Sequence, residues 1–258
     1  MKLLLPLGLL ALTTQFASAA SINFIGRTDL ASAAAFDLTE IGTTDWAYWD
    51  SAVTTSPGVS GTATNEMDGG FGIGSISVSG IGSYLRGTSG FAINTEFSFS
   101  NGSGVESGTE AGVTGLFSEE LATAGEGVQL DITLAEAGQE YVINIWTGGF
   151  ATQFATVVGS MNGAESYTSG NTGGSGFGGA YGDSASPREP YLYTFNVIAD
   201  NPNEVFNFSI ATAGTQSSSS HVLIAAASIA AVPEPGTYAL LAGFCMLGFV
   251  MMRRRSYR

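Results

Sequence analysis

Seven residues, Val128-Gln129-Leu130-Asp131-Ile132-Thr133-Leu134, alternate apolar and polar without a break. That period of two constrains the fold more than any other feature of the chain. Successive side chains of a strand point to opposite faces, so this segment offers one face to a core and the other to water. A helix would scatter the same apolar residues around its circumference. Tyr191-Leu192-Tyr193-Thr194-Phe195-Asn196-Val197 and Val205-Phe206-Asn207-Phe208-Ser209-Ile210 repeat the pattern, with Asp200-Asn201-Pro202-Asn203 between them. The turn residues predict that these two strands form a hairpin. Further short runs of β-branched and aromatic residues occur at 22–25, 73–78, 96–99, 141–147, 154–158 and 222–230. Glycine supplies 36 of 258 residues, about twice the usual share of roughly 7%, which lowers helix propensity and multiplies turn sites. The expectation is one all-β domain, an antiparallel sandwich or barrel. Two stretches, 100–115 and 161–190, read as long loops, either functional or mobile.

The two ends of the chain have a different character. Met1 and Lys2 precede an apolar run at 3–12 that is too short to span a bilayer, followed by Ala17-Ser18-Ala19. This is the order of a signal peptide: charge, apolar core, then the small residues Ala17 and Ala19 that a signal peptidase pocket admits. Cleavage is expected after Ala19, with Ala20 or Ser21 as alternatives, so residues 1–19 are assigned to the signal peptide. At the other end Pro233-Glu234-Pro235 is followed by an apolar stretch at 237–252 and by Arg253, Arg254 and Arg255. A helix over 237–252 would be about 24 Å long, slightly short for a hydrocarbon core of about 30 Å. Interfacial Tyr238 and snorkelling arginines extend its reach. Arginines stay on the cytoplasmic side, which directs the bulk of the chain outside the inner membrane.

Charge and composition narrow the chemistry of what lies between. Once Lys2 and the arginines of the C-terminal end are set aside, only Arg27, Arg86 and Arg188 face 22 acidic residues, a net charge of −19 where the whole chain carries −14. Such a field favours solubility and cation attraction and repels phosphates and anionic lipid headgroups. Nucleic acid is excluded as a partner, because binding it needs clusters of Lys and Arg. Lys2 is the single lysine, so the exported domain has no Walker lysine, no Schiff-base lysine and no Ser-Lys pair. The single cysteine, Cys245, lies in the C-terminal apolar stretch, which leaves the domain without disulfides or thiolate sites. His221 is the single histidine, too few for a multi-histidine metal site within one chain.

Pro-Glu-Pro before a short apolar helix and an arginine cluster resembles the PEP-CTERM sorting signal of Gram-negative bacteria. The matching residues are Pro233, Glu234, Pro235, the stretch 238–252 and Arg253 to Arg255, within a tail of 232–258 whose basic end is 253–258. The resemblance implies recognition by an exosortase, a membrane-embedded cysteine transpeptidase that cuts near Pro-Glu-Pro and releases or re-attaches the protein. That logic is shared with other removable C-terminal anchors. It implies delivery to the envelope, the outer surface or the extracellular matrix, with the inner membrane as a transient or permanent anchor. Residues 20–231 resemble a jelly-roll domain of other PEP-CTERM and secreted bacterial proteins through the segments 42–49, 141–146, 191–195 and 222–227. Related jelly rolls often bind carbohydrate, which makes extracellular polysaccharide an implied partner.

Candidate sites are few. Asp45-Trp46-Ala47-Tyr48-Trp49-Asp50 packs three large aromatics between two acids. Trp46, Tyr48 and Trp49 could stack on sugar rings while Asp45 and Asp50 accept hydroxyl hydrogen bonds. On a strand, however, Trp46 and Tyr48 share one face and Trp49 takes the other, so at least one face belongs to a core. The carboxylate pairs Glu119-Glu120 and Asp131 with Glu96 are hydrolase candidates by spacing alone. His221 after Ser217-Ser218-Ser219-Ser220 lacks the Gly-x-Ser-x-Gly elbow of a nucleophilic serine. No cofactor and no metal site are expected; calcium stays open, since jelly rolls often hold one, but no Asp-x-Asp-x-Asp loop occurs. The expected function is that of a non-enzymatic, surface- or matrix-directed structural or adhesive protein. The alternatives are a carbohydrate-binding module and, behind it, a glycan-active hydrolase.

Overall fold

The computed structural model describes residues 19–30, 34–50, 60–79, 85–86, 93, 95–118, 125, 127–150, 155–169, 190–212, 221–233, 243 and 246. In chain order the elements are β1 (Ser21–Asp29), β2 (Ala34–Asp37), α1 (Leu38–Ile41), β3 (Asp45–Tyr48), β4 (Asn65–Glu66), β5 (Ile73–Ser79), β6 (Leu85–Arg86), β7 (Thr95–Phe99) and β8 (Gly108–Ala111). They continue with β9 (Leu116–Ser118), β10 (Gly127–Leu134), β11 (Glu140–Phe150), β12 (Ala155–Ser160), β13 (Tyr167–Thr168), β14 (Tyr191–Ile198), β15 (Glu204–Thr212) and β16 (His221–Ala231). The fold is all-β, as the alternation predicts.

The largest sheet runs β1-β14-β11-β16-β3-β4, with β9 beside β16 and β6 beside β9. A second runs β13-β12-β15-β10-β5, and a third is β2-β7-β8. Among the described residues every strand pair is antiparallel except β2 with β7. In β10, Val128, Leu130, Ile132 and Leu134 are buried while Asp131 faces outward. There the Asp131 carboxylate accepts from Asn207 Nδ2 at 2.6 Å, directly across the ladder to β15. One hydrophobic cluster collects the facing rows of the first two sheets, among them Ile143, Ile145, Phe195 and Val197 from one and Leu130, Ile132, Phe206 and Phe208 from the other. The rings of Phe195 and Phe206 lie 5.4 Å apart and those of Tyr193 and Phe208 5.9 Å. Each such side chain contributes about 1.5–3 kcal/mol when fully buried.

The expected hairpin between β14 and β15 does not form. Both strands exist with the predicted faces, but β14 pairs with β1 and β11 in the first sheet and β15 with β10 and β12 in the second. The segment 199–203 is a corner that carries the chain from one sheet to the other. Ala199 is buried in the core, Asn203 takes φ 63°, and the Glu204 carboxylate accepts from the backbone N–H of Asp200 at 2.9 Å. The corner is stitched to a second one, 135–139 between β10 and β11, by Asn203 N–H to Leu134 O and Gly138 N–H to Ala199 O, both 2.8 Å. Two strands whose buried rows face each other across one core satisfy the same alternation as a hairpin.

A second hydrophobic cluster lies on the outer face of the first sheet, where α1 and the third sheet cover β3, β11 and β16. β16 is therefore buried on both faces. Val222, Ile224, Ala227 and Ile229 join the inner cluster, and Leu223, Ala225 and Ala226 the outer one. The register against β11 shifts between Trp146 and Thr147 and leaves Ala225 as an extra residue, a bulge that puts two small side chains in succession under the third sheet's aromatics. The segment 100–115 is more ordered than expected, since it contains β8 paired with β7. Of the other expected loop, β13 pairs with β12, and 170–189 lies outside the described residues. The expected membrane helix 237–252 likewise lies outside them apart from Gly243 and Met246, and no described helix is long and apolar enough to cross a membrane.

Candidate functional site

The aromatic and acidic segment at 45–50 forms β3 and its C-terminal extension, beside the central strand β16. As predicted, Trp46 and Tyr48 share one face and Trp49 takes the other. Both faces, however, are core: Trp46 and Trp49 are 0% exposed and Tyr48 3%. Trp46 packs on Phe99 with ring centroids 5.2 Å apart and donates from Nε1 to Asn101 Oδ1 at 3.3 Å. Tyr48 packs on the same Phe99 at 5.4 Å, and burial raises its hydroxyl pKa to about 12. Trp49 enters the inner cluster and donates from Nε1 to Gly61 O at 3.3 Å. A sugar platform needs a ring face open to solvent, so the assignment of Trp46, Tyr48 and Trp49 to glycan contact is corrected. The third sheet, invisible in the local sequence, closes the face that Trp46 and Tyr48 would have offered.

The two flanking acids are also engaged. Asp45 is 4% exposed and accepts from Ile73 N–H at 2.9 Å. Burial raises its pKa to about 6 against the pull of that hydrogen bond, and the nearby Glu66 adds to the rise. Asp50 accepts from Thr114 N–H at 2.9 Å, and its own N–H donates to Thr64 Oγ1 at 2.6 Å. Both carboxylates fasten the ends of β3 to neighbouring segments. Asn65, which carries no motif, does comparable work. It is buried, accepts from Gly104 N–H at 2.8 Å and donates to Val105 O at 2.9 Å, holding the turn at 102–106 against β4. Nothing in its local sequence distinguishes it from a turn asparagine.

The remaining candidates are not brought together. Asp131 lies on the outer face of the second sheet and Glu96 on the third, with the first sheet between them. Glu119, Glu120 and Ser217 to Ser220 lie outside the described residues, and the backbone of His221 pairs with Phe150 at the start of β16. Among the described residues no three His, Cys, Asp or Glu side chains gather into a metal site. Ala17 of the expected signal cleavage site lies outside the described residues, and Ala19 is exposed ahead of β1.

The C-terminal exit of the domain is built with more care than the strand alone requires. β16 ends at Ala231, whose N–H donates to Thr44 Oγ1 at 3.0 Å. Val232 N–H donates to Glu140 O at 2.8 Å, and Gln139 Nε2 donates to Val232 O at 2.6 Å and to Glu140 O at 2.7 Å. Pro233 then stands exposed, while Glu234, Pro235 and Arg253 to Arg255 lie outside the described residues. Residues 231–255 match the PEP-CTERM protein-sorting motif. The sorting motif implies export, association with the cell envelope or surface, and processing by an exosortase-type enzyme. It begins at the last residue of β16, so the folded domain and the sorting motif adjoin without a spacer. No curated protein matches the chain.

Proposed function

We propose that this chain is a non-enzymatic exported protein, carried by an exosortase-type system to the outer surface or extracellular matrix. There its domain of residues 20–231 serves as a structural or adhesive component of the polysaccharide layer. The observation that carries this reading is the sorting motif at 231–255 joined directly to a β-domain. In the same reading residues 1–19 are removed by signal peptidase and the domain is a jelly roll that needs no cofactor. Strand order supports the jelly roll. With β3, β10, β11, β12, β13, β14, β15 and β16 numbered one to eight, the first sheet contains the order 1-8-3-6 and the second 2-7-4-5, which is how the two Greek keys of a jelly roll interleave. The structural role is favoured over a carbohydrate-binding module because the aromatic strand that suggested one packs in the core.

The test is made in the native host by replacing Pro233, Glu234 and Pro235 with alanine. The variant is expected to accumulate in the inner-membrane fraction, and a layer deprived of the protein to become mechanically weaker. An unchanged distribution contradicts the sorting route, and an unchanged layer contradicts the structural role.

A further inference from the structure

The first and last described strands of the first sheet place both chain ends at one end of the domain. Ser21 pairs with Ile198, Ile198 pairs with Glu140, and Glu140 O receives the N–H of Val232. These residues form one row across the neighbouring strands β1, β14, β11 and β16. Three inter-strand spacings of about 4.8 Å set the two exits about 14 Å apart. The corners 135–139 and 199–203 project from this same end, where β10 turns into β11 and β14 into β15. The C-terminal exit is held from both flanks, by Thr44 on one side and by Gln139 and Glu140 on the other.

We infer that the corner end of the domain, residues 135–139 and 199–203, is the surface that faces the lipid headgroups of the membrane in the unprocessed protein. This rests on the exported, tail-anchored reading above and adds an orientation to it, one imposed by the short tether against the repulsion between the headgroup phosphates and the acidic Glu136 and Asp200 of the two corners. Only residues 233–236 separate the last backbone-bonded residue from the apolar stretch, a reach of about 14 Å at full extension, and the headgroup layer is itself about 5–8 Å thick. β16 has eleven residues and is about 36 Å long, so the opposite end, where β1 finishes at Asp29 and β16 starts at His221, stands far from the bilayer. The signal peptide would leave from Ser21 at the same end. Both membrane segments can therefore sit side by side while the sheets close, and folding need not wait for either cut.

The test uses the full chain in phosphatidylethanolamine and phosphatidylglycerol vesicles that carry a headgroup-bound nitroxide quencher. Cys245→Ser removes the single native cysteine. Ala137→Cys, Asn201→Cys or Thr28→Cys, all at exposed positions, then carries one fluorescent label. Labels at 137 and 201 are expected to be quenched several-fold more than the label at 28. Equal quenching at the three positions, or stronger quenching at 28, overturns the orientation while leaving the sorting reading intact. A chain that fails to float with the vesicles overturns the anchored precursor itself, and this inference with it.

Discussion

Asp45 shows how a residue can look like a ligand contact and act as a structural fastener. Its carboxyl is buried and its pKa is raised to about 6, above the ordinary value near 3.9. The folded state therefore holds a proton that the unfolded chain has released between these two values, and stability falls as pH rises from about 4 through about 6. The effect is on the order of 3 kcal/mol. In Asp45→Asn the pH dependence over that window is expected to flatten relative to wild type, as read by thermal melts at pH 4 to 7. Parallel pH profiles for the two proteins would mean that Asp45 titrates normally. Trp46 makes the same point with the opposite chemistry. Trp46→Ala should cost about 3–5 kcal/mol in denaturant unfolding, because the ring is fully buried in the outer cluster against Phe99. A loss under about 1 kcal/mol would suit a surface platform instead.

At the scale of elements, the alternation in 128–134, 191–197 and 205–210 identified β10, β14 and β15 together with their buried faces. Their pairing was not legible, because period two records which side of a strand is dry and says nothing about which strand lies beside it. Asp200-Asn201-Pro202-Asn203 reads the same whether it closes a hairpin or turns a corner between sheets. Asn203 is the residue that makes the corner specific, with φ 63° and its N–H on Leu134 O. Asn203→Gly should leave stability near wild type, whereas Asn203→Val should cost about 1–3 kcal/mol because a β-branched residue resists that conformation. Equal stabilities of the two variants would contradict the corner geometry. The third sheet escaped the sequence for a related reason. β8 is Gly108-Thr109-Glu110-Ala111, too short and too polar to register as a strand, yet β7 beside it supplies Phe97 and Phe99 to the outer cluster. In 45–50 the alternation separates Trp46 and Tyr48 from Trp49, and the structure puts them on opposite faces, both of them core. The cover over Trp46 and Tyr48 comes from Phe99 and Asn101, about fifty positions away.

Across the whole molecule, a β-domain is joined to an exosortase sorting motif that starts where the last strand stops. The sorting signal was legible because its recognition is local: a fixed tripeptide, an apolar stretch and a basic end in order. The clamp that precedes it was not, since it depends on Gln139 and Thr44 reaching Val232 and Ala231 across the sheet. The most direct measurement is the intact mass of the protein recovered from the envelope and medium of its native host. The expected species begins near Ala20 and ends close to Pro233 to Pro235, with any added mass attached at that new C-terminus. A mass that retains the stretch 237–252 and Arg253 to Arg255 in every fraction would contradict it, and would make the chain a permanently anchored inner-membrane protein.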